Sequence, residues 1–346
     1  MRILIVAPNW VGDAVMTQSL LLALKENHPD CIIDILSPKF LCPLFQKMPQ
    51  VHEILPSSFT HGKLQLIKRL KFARNLKNKH YAQAIILPNS LKSALIPFFA
   101  KIKKRTGWRG EFRYGLLNDI KKLDEKKHPL MIQRFVALAY VKNTDFVIQK
   151  PFLTPDINSA YKYLHNINKE NLFFHNNTLQ KKVLVLCPGS AYGSAKRWPI
   201  DYFAEIANKK LDEGWQVWLF GSTEDIEITE KINVKASNRC LNLAGKTNLN
   251  DAIDLLALAE IIISNDSGLL HIASALNKKL IAIFGSSSYK FTPPLADNCK
   301  IISLNLPCSP CFARVCPLKH FRCMIDLKPN IILQAYKELE GQNNNI

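Results

Sequence analysis

Three short segments carry residue types that could do chemistry, and each directly follows an apolar run. Pro8-Asn-Trp-Val-Gly-Asp13 places a carboxylate at the start of an amphipathic stretch. Asp13 is then either a general base or an acid that steadies a helix N-terminus through the dipole. Cys187-Pro-Gly-Ser-Ala-Tyr-Gly-Ser-Ala-Lys-Arg-Trp-Pro199 combines Gly189, Ser190 and Lys196. Exposed backbone N–H groups beside a cation suit a phosphate, although a polar loop with a surface lysine has the same composition. Ile261-Ile-Ile-Ser-Asn-Asp-Ser-Gly-Leu-Leu-His271 stops a strand at Asp266 and opens a helix at Ser267 and Gly268. The amides of Ser267, Gly268 and Leu269 can face a diphosphate; Asp266 as a plain cap and His271 as a packed histidine are the simpler readings. No G-x-G-x-x-G or Walker A spacing occurs in these loops, which argues against a dinucleotide site or an NTPase.

A fourth cluster lies near the end of the chain. Cys308, Cys311, Cys316 and Cys323 follow one another closely, opening with a C-x-x-C pair. A tetrahedral structural zinc site is one reading, with His320 able to replace a ligand. The absence of a second C-x-x-C keeps a labile disulfide and reduced, packed thiols open beside it.

Positioning the strand-end residues requires a particular fold. Apolar runs at residues 3–7, 32–36, 82–87, 183–187, 216–220, 261–264 and 280–284 lack polar alternation, and helical patterns separate them. Buried strands of this kind form parallel sheets covered on both faces. The pattern weakens between Asn143 and Leu179 and then restarts, which predicts two Rossmann-like α/β domains facing a central cleft, over residues 1–160 and 161–346. Ligands in such sheets bind beyond the carboxyl ends of the strands. The last helix is allowed to pack back on the first domain.

The chain has 346 residues and a net charge of +18. Between Thr60 and Lys127, 18 Lys and Arg face 4 Asp and Glu, so most of the surplus is local. That points to a polyanionic partner, either nucleic acid or an anionic lipid surface, or else to a solvated face. No apolar run reaches the length of a membrane span, and the opening Met1–Pro8 run is too short for an export signal. The nine cysteines are therefore expected in a reducing cytoplasm.

The ordered set of motifs resembles the ADP-heptose lipopolysaccharide heptosyltransferases (glycosyltransferase family 9), glycosyltransferases of the GT-B architecture. The resembling segments are the opening through Asp13, Leu87-Pro-Asn-Ser-x-Lys-Ser-Ala-Leu-x-Pro-Phe-Phe99, and Arg105-Thr-Gly-Trp-Arg-Gly-Glu-x-Arg-Tyr-Gly-Leu-Leu-Asn118. Pro188-Gly189, Ala195-Lys-Arg-Trp-Pro199, Asn265-Asp-Ser-Gly-Leu-x-His271 and Phe291-Thr-Pro-Pro294 continue the series. The resemblance implies an ADP-heptose donor held by the second domain and a Kdo-lipid A acceptor, already carrying one heptose, held by the first. It makes Asp13 the catalytic base and Lys196 the diphosphate contact. It implies donor contacts at Gly12, Gly189, Ser190, Asp266, Ser267, Gly268, Leu269 and His271. Glu224 is the implied ribose partner, with Asp225 competing for the place. Asn89, Ser90, Lys92, Arg109 and Arg113 are candidates for the acceptor's carboxylates and phosphates.

Displacing ADP from an anomeric carbon needs a base for the incoming hydroxyl and charge stabilisation for the leaving diphosphate. One base without a nucleophilic carboxylate implies inversion. With no Asp-x-Asp motif in the loops, no metal cofactor is required. The expected protein is a monomeric cytoplasmic enzyme, peripheral at the anionic inner membrane, with no nucleic-acid partner. The alternatives are addition of the first or third heptose, another sugar nucleotide, or a basic nucleic-acid-binding protein.

Overall fold

The computed structural model describes residues 1–59, 62–141, 144–167, 174–175, 178–179 and 181–341. Thr60 and part of the Asn143–Leu179 junction lie outside the described residues. Two compact units divide the chain, Met1–Pro151 and Phe152–Ile346. The division falls ahead of the expected boundary because helix Ile157–Ile167 belongs to the second unit. There it packs on helix Leu249–Leu256, and Asp156 N–H donates to Asp254 Oδ1 at 2.7 Å.

The first unit holds strands β1 (Arg2–Val6), β2 (Ile32–Pro38), β3 (Glu53–Ser57), β4 (Gln83–Ile86), β5 (Lys104–Trp108) and β6 (Asp119–Lys121). They form one sheet in the order β3-β2-β1-β4-β5-β6, parallel throughout. Ile3, Ile5, Ile33 and Ile85 on one face, and Leu4, Ala84 and Ile86 on the other, are fully buried. This is why the strands read as unbroken apolar runs. Asp34 is buried at the start of the sheet among Arg2 Nε (2.7 Å), Tyr81 Oη (2.6 Å) and His52 Nδ1 (3.1 Å). Its charge is thus compensated within the core.

Two short antiparallel strands, β7 (Phe174–His175) and β8 (Thr178–Leu179), precede the second sheet. That sheet contains β9 (Val183–Cys187), β10 (Gln216–Leu219), β11 (Leu241–Asn242), β12 (Ile261–Asn265), β13 (Lys279–Ile283) and β14 (Cys299–Ile302). Its order, β11-β10-β9-β12-β13-β14, repeats that of the first. Every residue of β9 and β12 is buried; a fully buried aliphatic side chain stabilises by about 1.5–3 kcal/mol. The last helix, Pro329–Gly341, gives Ile332, Ala335, Tyr336 and Leu339 to the core of this second unit, so its apolar face is used within its own unit. No helix among the described residues is long and apolar enough to cross a membrane.

Candidate active site

In a sheet of this order the connections from neighbouring strands diverge beside the first strand, leaving a crevice beyond the carboxyl ends of the first and fourth strands. In the second unit those strands are β9 and β12, and both motif loops leave from there. Asn265, fully buried, ties them together. Its Nδ2 donates to Pro188 O at 2.6 Å and its Oδ1 accepts from Trp198 N–H at 3.2 Å.

Lys196 Nζ donates to Asp266 Oδ2 at 2.5 Å, with the side chains 15% and 6% exposed. One of the three ammonium donors is thereby committed to Asp266, which aims the others. Nζ also stands 4.8 Å from the Tyr192 ring centroid. His271 lies in the first turns of helix Gly268–Ala275, with Nε2 4.0 Å from Asp266 Oδ1. Burial depresses the imidazole pKa, Asp266 opposes the shift and Lys196 adds to it, so the ring is neutral near pH 7. Ser267 caps the helix by position, but its side chain makes no cap bond. Gly268 and Leu269 remain partly accessible at the positive end of the dipole.

The β10 end separates the two acids that competed for one role. Asp225 is buried, and its Oδ2 accepts from Ser222 N–H at 2.9 Å and Ser222 Oγ at 2.8 Å. Glu224 is exposed, so of the two it is the carboxylate offered to solvent. Gly189 is required on steric grounds, because a Cβ there would meet the Asp225 carboxylate at 2.4 Å. Ser190 is 2% exposed, and its hydroxyl has no hydrogen-bond partner among the described residues.

The first unit builds its corresponding place differently. Asp13 sits half-buried in the first turn of helix Val11–Asn27, after Gly12, and Thr17 Oγ1 donates to its carbonyl at 2.9 Å. Beyond β4, Asn89 is exposed while Ser90 and Lys92 are half-buried; Arg109, after β5, is exposed. Arg113 departs from the expectation of a ligand-facing guanidinium. It is 2% exposed and donates to Pro88 O (2.7 Å), Asn89 Oδ1 (3.1 Å) and Trp108 O. Its two terminal nitrogens are engaged by the segments at the ends of β4 and β5, and it positions Asn89.

A sequence model of the family described as "Glycosyltransferase family 9 (heptosyltransferase)" matches residues 69–322. The chain belongs to glycosyltransferase family 9. Among curated family members, lipopolysaccharide heptosyltransferase 2 of Escherichia coli (strain K12) is 44% identical over 312 residues, covering 88% of each chain. Lipooligosaccharide heptosyltransferase 2 of Haemophilus influenzae is 42% identical over 313 residues, covering 88% of this chain and 89% of its own. The solved structure of Escherichia coli ADP-heptose lipopolysaccharide heptosyltransferase II superimposes with a TM-score of 0.86 at 38% identity, over 99% of this chain and 100% of that one. The fold class is accordingly the α/β, GT-B-like arrangement of two parallel six-stranded sheets.

Sequence reasoning did not single out Asn265 or Tyr192 as functional, although both stand inside segments it quoted. It also passed over Ser286 and Ser287, just beyond β13, whose buried hydroxyls have no partner among the described residues. The rule that ligands gather at strand ends would have flagged that Ser-Ser-Ser run.

Proposed function

We propose that the protein is an inverting heptosyltransferase. It moves L-glycero-D-manno-heptose from ADP-heptose to the heptosyl-Kdo-lipid A inner core of lipopolysaccharide. The observation that carries this reading is the pairing of partly buried Lys196 with buried Asp266 beside a helix N-terminus at the β9/β12 switch point. It occurs in a family 9 chain whose relatives are named heptosyltransferase 2. As the acceptor oxygen attacks the anomeric carbon opposite ADP, its proton passes to the Asp13 carboxylate, an assistance typically worth ~10²–10⁴-fold. The bond to the diphosphate oxygen breaks and its electron pair leaves on ADP. The uncommitted Lys196 donors and the Gly268 and Leu269 amides stabilise that charge, commonly the larger contribution. Neutral His271 serves as a hydrogen-bonding group, and Glu224 receives the ribose.

Helix Leu66–Leu76 supports contact with an anionic membrane surface. Lys68, Lys71 and Arg74 are exposed beside Ile67, which is 81% exposed. Basic side chains near such a surface contribute about 1 kcal/mol each, and salt screens them. The test is heptose transfer from ADP-heptose to Kdo-lipid A acceptors bearing zero, one or two heptoses, presented in anionic vesicles over a range of salt. Transfer to the singly heptosylated acceptor, weakening with salt, is expected. Use of only another acceptor, or of UDP-sugars in place of ADP-heptose, rejects the function; salt-independent transfer rejects the membrane contact.

A further inference from the structure

Between β14 and the short helix Arg322–Ile325 the chain runs through residues 303–321 with no helix or strand. Phe312, Lys319 and Phe321 have positive φ of 53°, 57° and 47°, conformations that side chains with a Cβ seldom adopt. Loops of this length inside a compact unit are uncommon unless something holds them or they serve a function. The four cysteines and His320 line one cavity of about 20 Å³ within this segment, room for a single small occupant.

We propose that Cys308, Cys311, Cys316 and Cys323 form a tetrathiolate site for one zinc ion. All four are free of disulfides. His320 is the poorer ligand because its Nδ1 already accepts from Arg322 N–H at 3.1 Å. Each thiol gives its proton to solvent on binding, and the resulting excess negative charge has Arg314, Lys319 and Arg322 in the same segment to offset it. Among the described residues the group already gathered within 4.8 Å is Asp34, His52 and Glu53, not the cysteines. There Arg2 and Lys79 supply the cations. Zn–S bonds of ~2.3 Å need sulfurs roughly 3.8 Å apart, so these must swing inward. One rotamer step about Cα–Cβ moves a cysteine sulfur by about 3 Å, the kind of motion that bringing them together calls for.

The ion would act on the donor loop through contacts already formed. Phe312 O accepts from Tyr192 Oη at 2.7 Å, and Arg314 O accepts from Ala195 N–H at 3.0 Å. A Cβ at Gly193 would lie 2.2 Å from Arg314 O, so this segment seats directly on the loop that carries Lys196. The site is structural, and it stands or falls independently of which sugar is transferred.

Elemental analysis of the full chain, purified under reduction without chelator, tests the assignment. We expect about one zinc per chain, lost in Cys308→Ser/Cys311→Ser and retained in Cys240→Ser, whose buried thiol lies elsewhere. Removing the metal from the wild type with a chelator should lower its melting temperature and expose four additional reactive thiols, a measurement that does not depend on the variants folding. Less than ~0.5 zinc per chain, iron in its place, full zinc in the double variant, or a disulfide among these cysteines in the reduced protein overturns the site.

Discussion

The two units share one strand order, yet the switch points of their sheets are built in opposite ways. At the ends of β9 and β12 the functional side chains are mostly buried and cross-linked: Asn265 spans two loops, and Asp266 holds the partly buried Lys196 while lying beside His271. At the ends of β1 and β4, Asp13 is half-buried and Asn89 exposed, while the buried Arg113 supports the loop from behind. The contrast suits the two ligands proposed above, the donor for the second unit and the acceptor for the first. A small diphosphate of fixed shape rewards donors oriented in advance, because no reorganisation remains at the moment of reaction. A large anionic glycolipid needs open ground, and its affinity can come from many weak, solvated contacts.

Three substitutions would break or sharpen this comparison. The largest effect is expected at Asp13, where Asn should lower kcat by ~10²–10⁴-fold with donor affinity and melting temperature nearly unchanged. Equal losses in turnover and donor affinity would make Asp13 a binding residue. Asp266→Ala should do the reverse, lowering unfolding free energy by about 3 kcal/mol by stranding Lys196 in its partly buried place, and weakening ADP-heptose binding as well. Denaturant titration and calorimetric binding would read both, and an unperturbed unfolding midpoint would contradict the cross-linked picture.

The smallest effect concerns pH. Burial keeps the folded His271 pKa below its ordinary 6.5, so below that pH the unfolded chain binds a proton that the folded chain refuses. Stability should therefore fall as pH drops from 7 to 5, by more in the wild type than in His271→Gln, with the gap between them constant above pH 7. Parallel melting curves across that range would remove His271 from the buried network.

Legibility in the sequence followed burial. Strands such as Val183–Cys187 and Ile261–Asn265 are wholly buried, so their composition alone marks them, and with them the loops they launch. Strand β5, Lys-Arg-Thr-Gly-Trp, buries Thr106, Gly107 and Trp108 and carries no aliphatic signal. Strand β6 is a three-residue edge with none of its residues buried. Helix Leu66–Leu76 is hard to bound from sequence, because lysines populate surface helix and loop alike.

The net charge, the alternation of buried strands with helices, and the placing of Asp13, Lys196 and Asp266 after strands were therefore determined by the sequence itself. Each depends on residue type and local spacing. Which partners those side chains have was decided only in three dimensions. Lys196 and Asp266 stand 70 positions apart in the chain, and nothing local joins them. Arg113, in a surface-like basic stretch, was turned inward because three acceptors from two strand-end loops happen to converge there. The choice between Glu224 and Asp225 was likewise tertiary: the fold buried one carboxylate as a cap and left its neighbour in solvent.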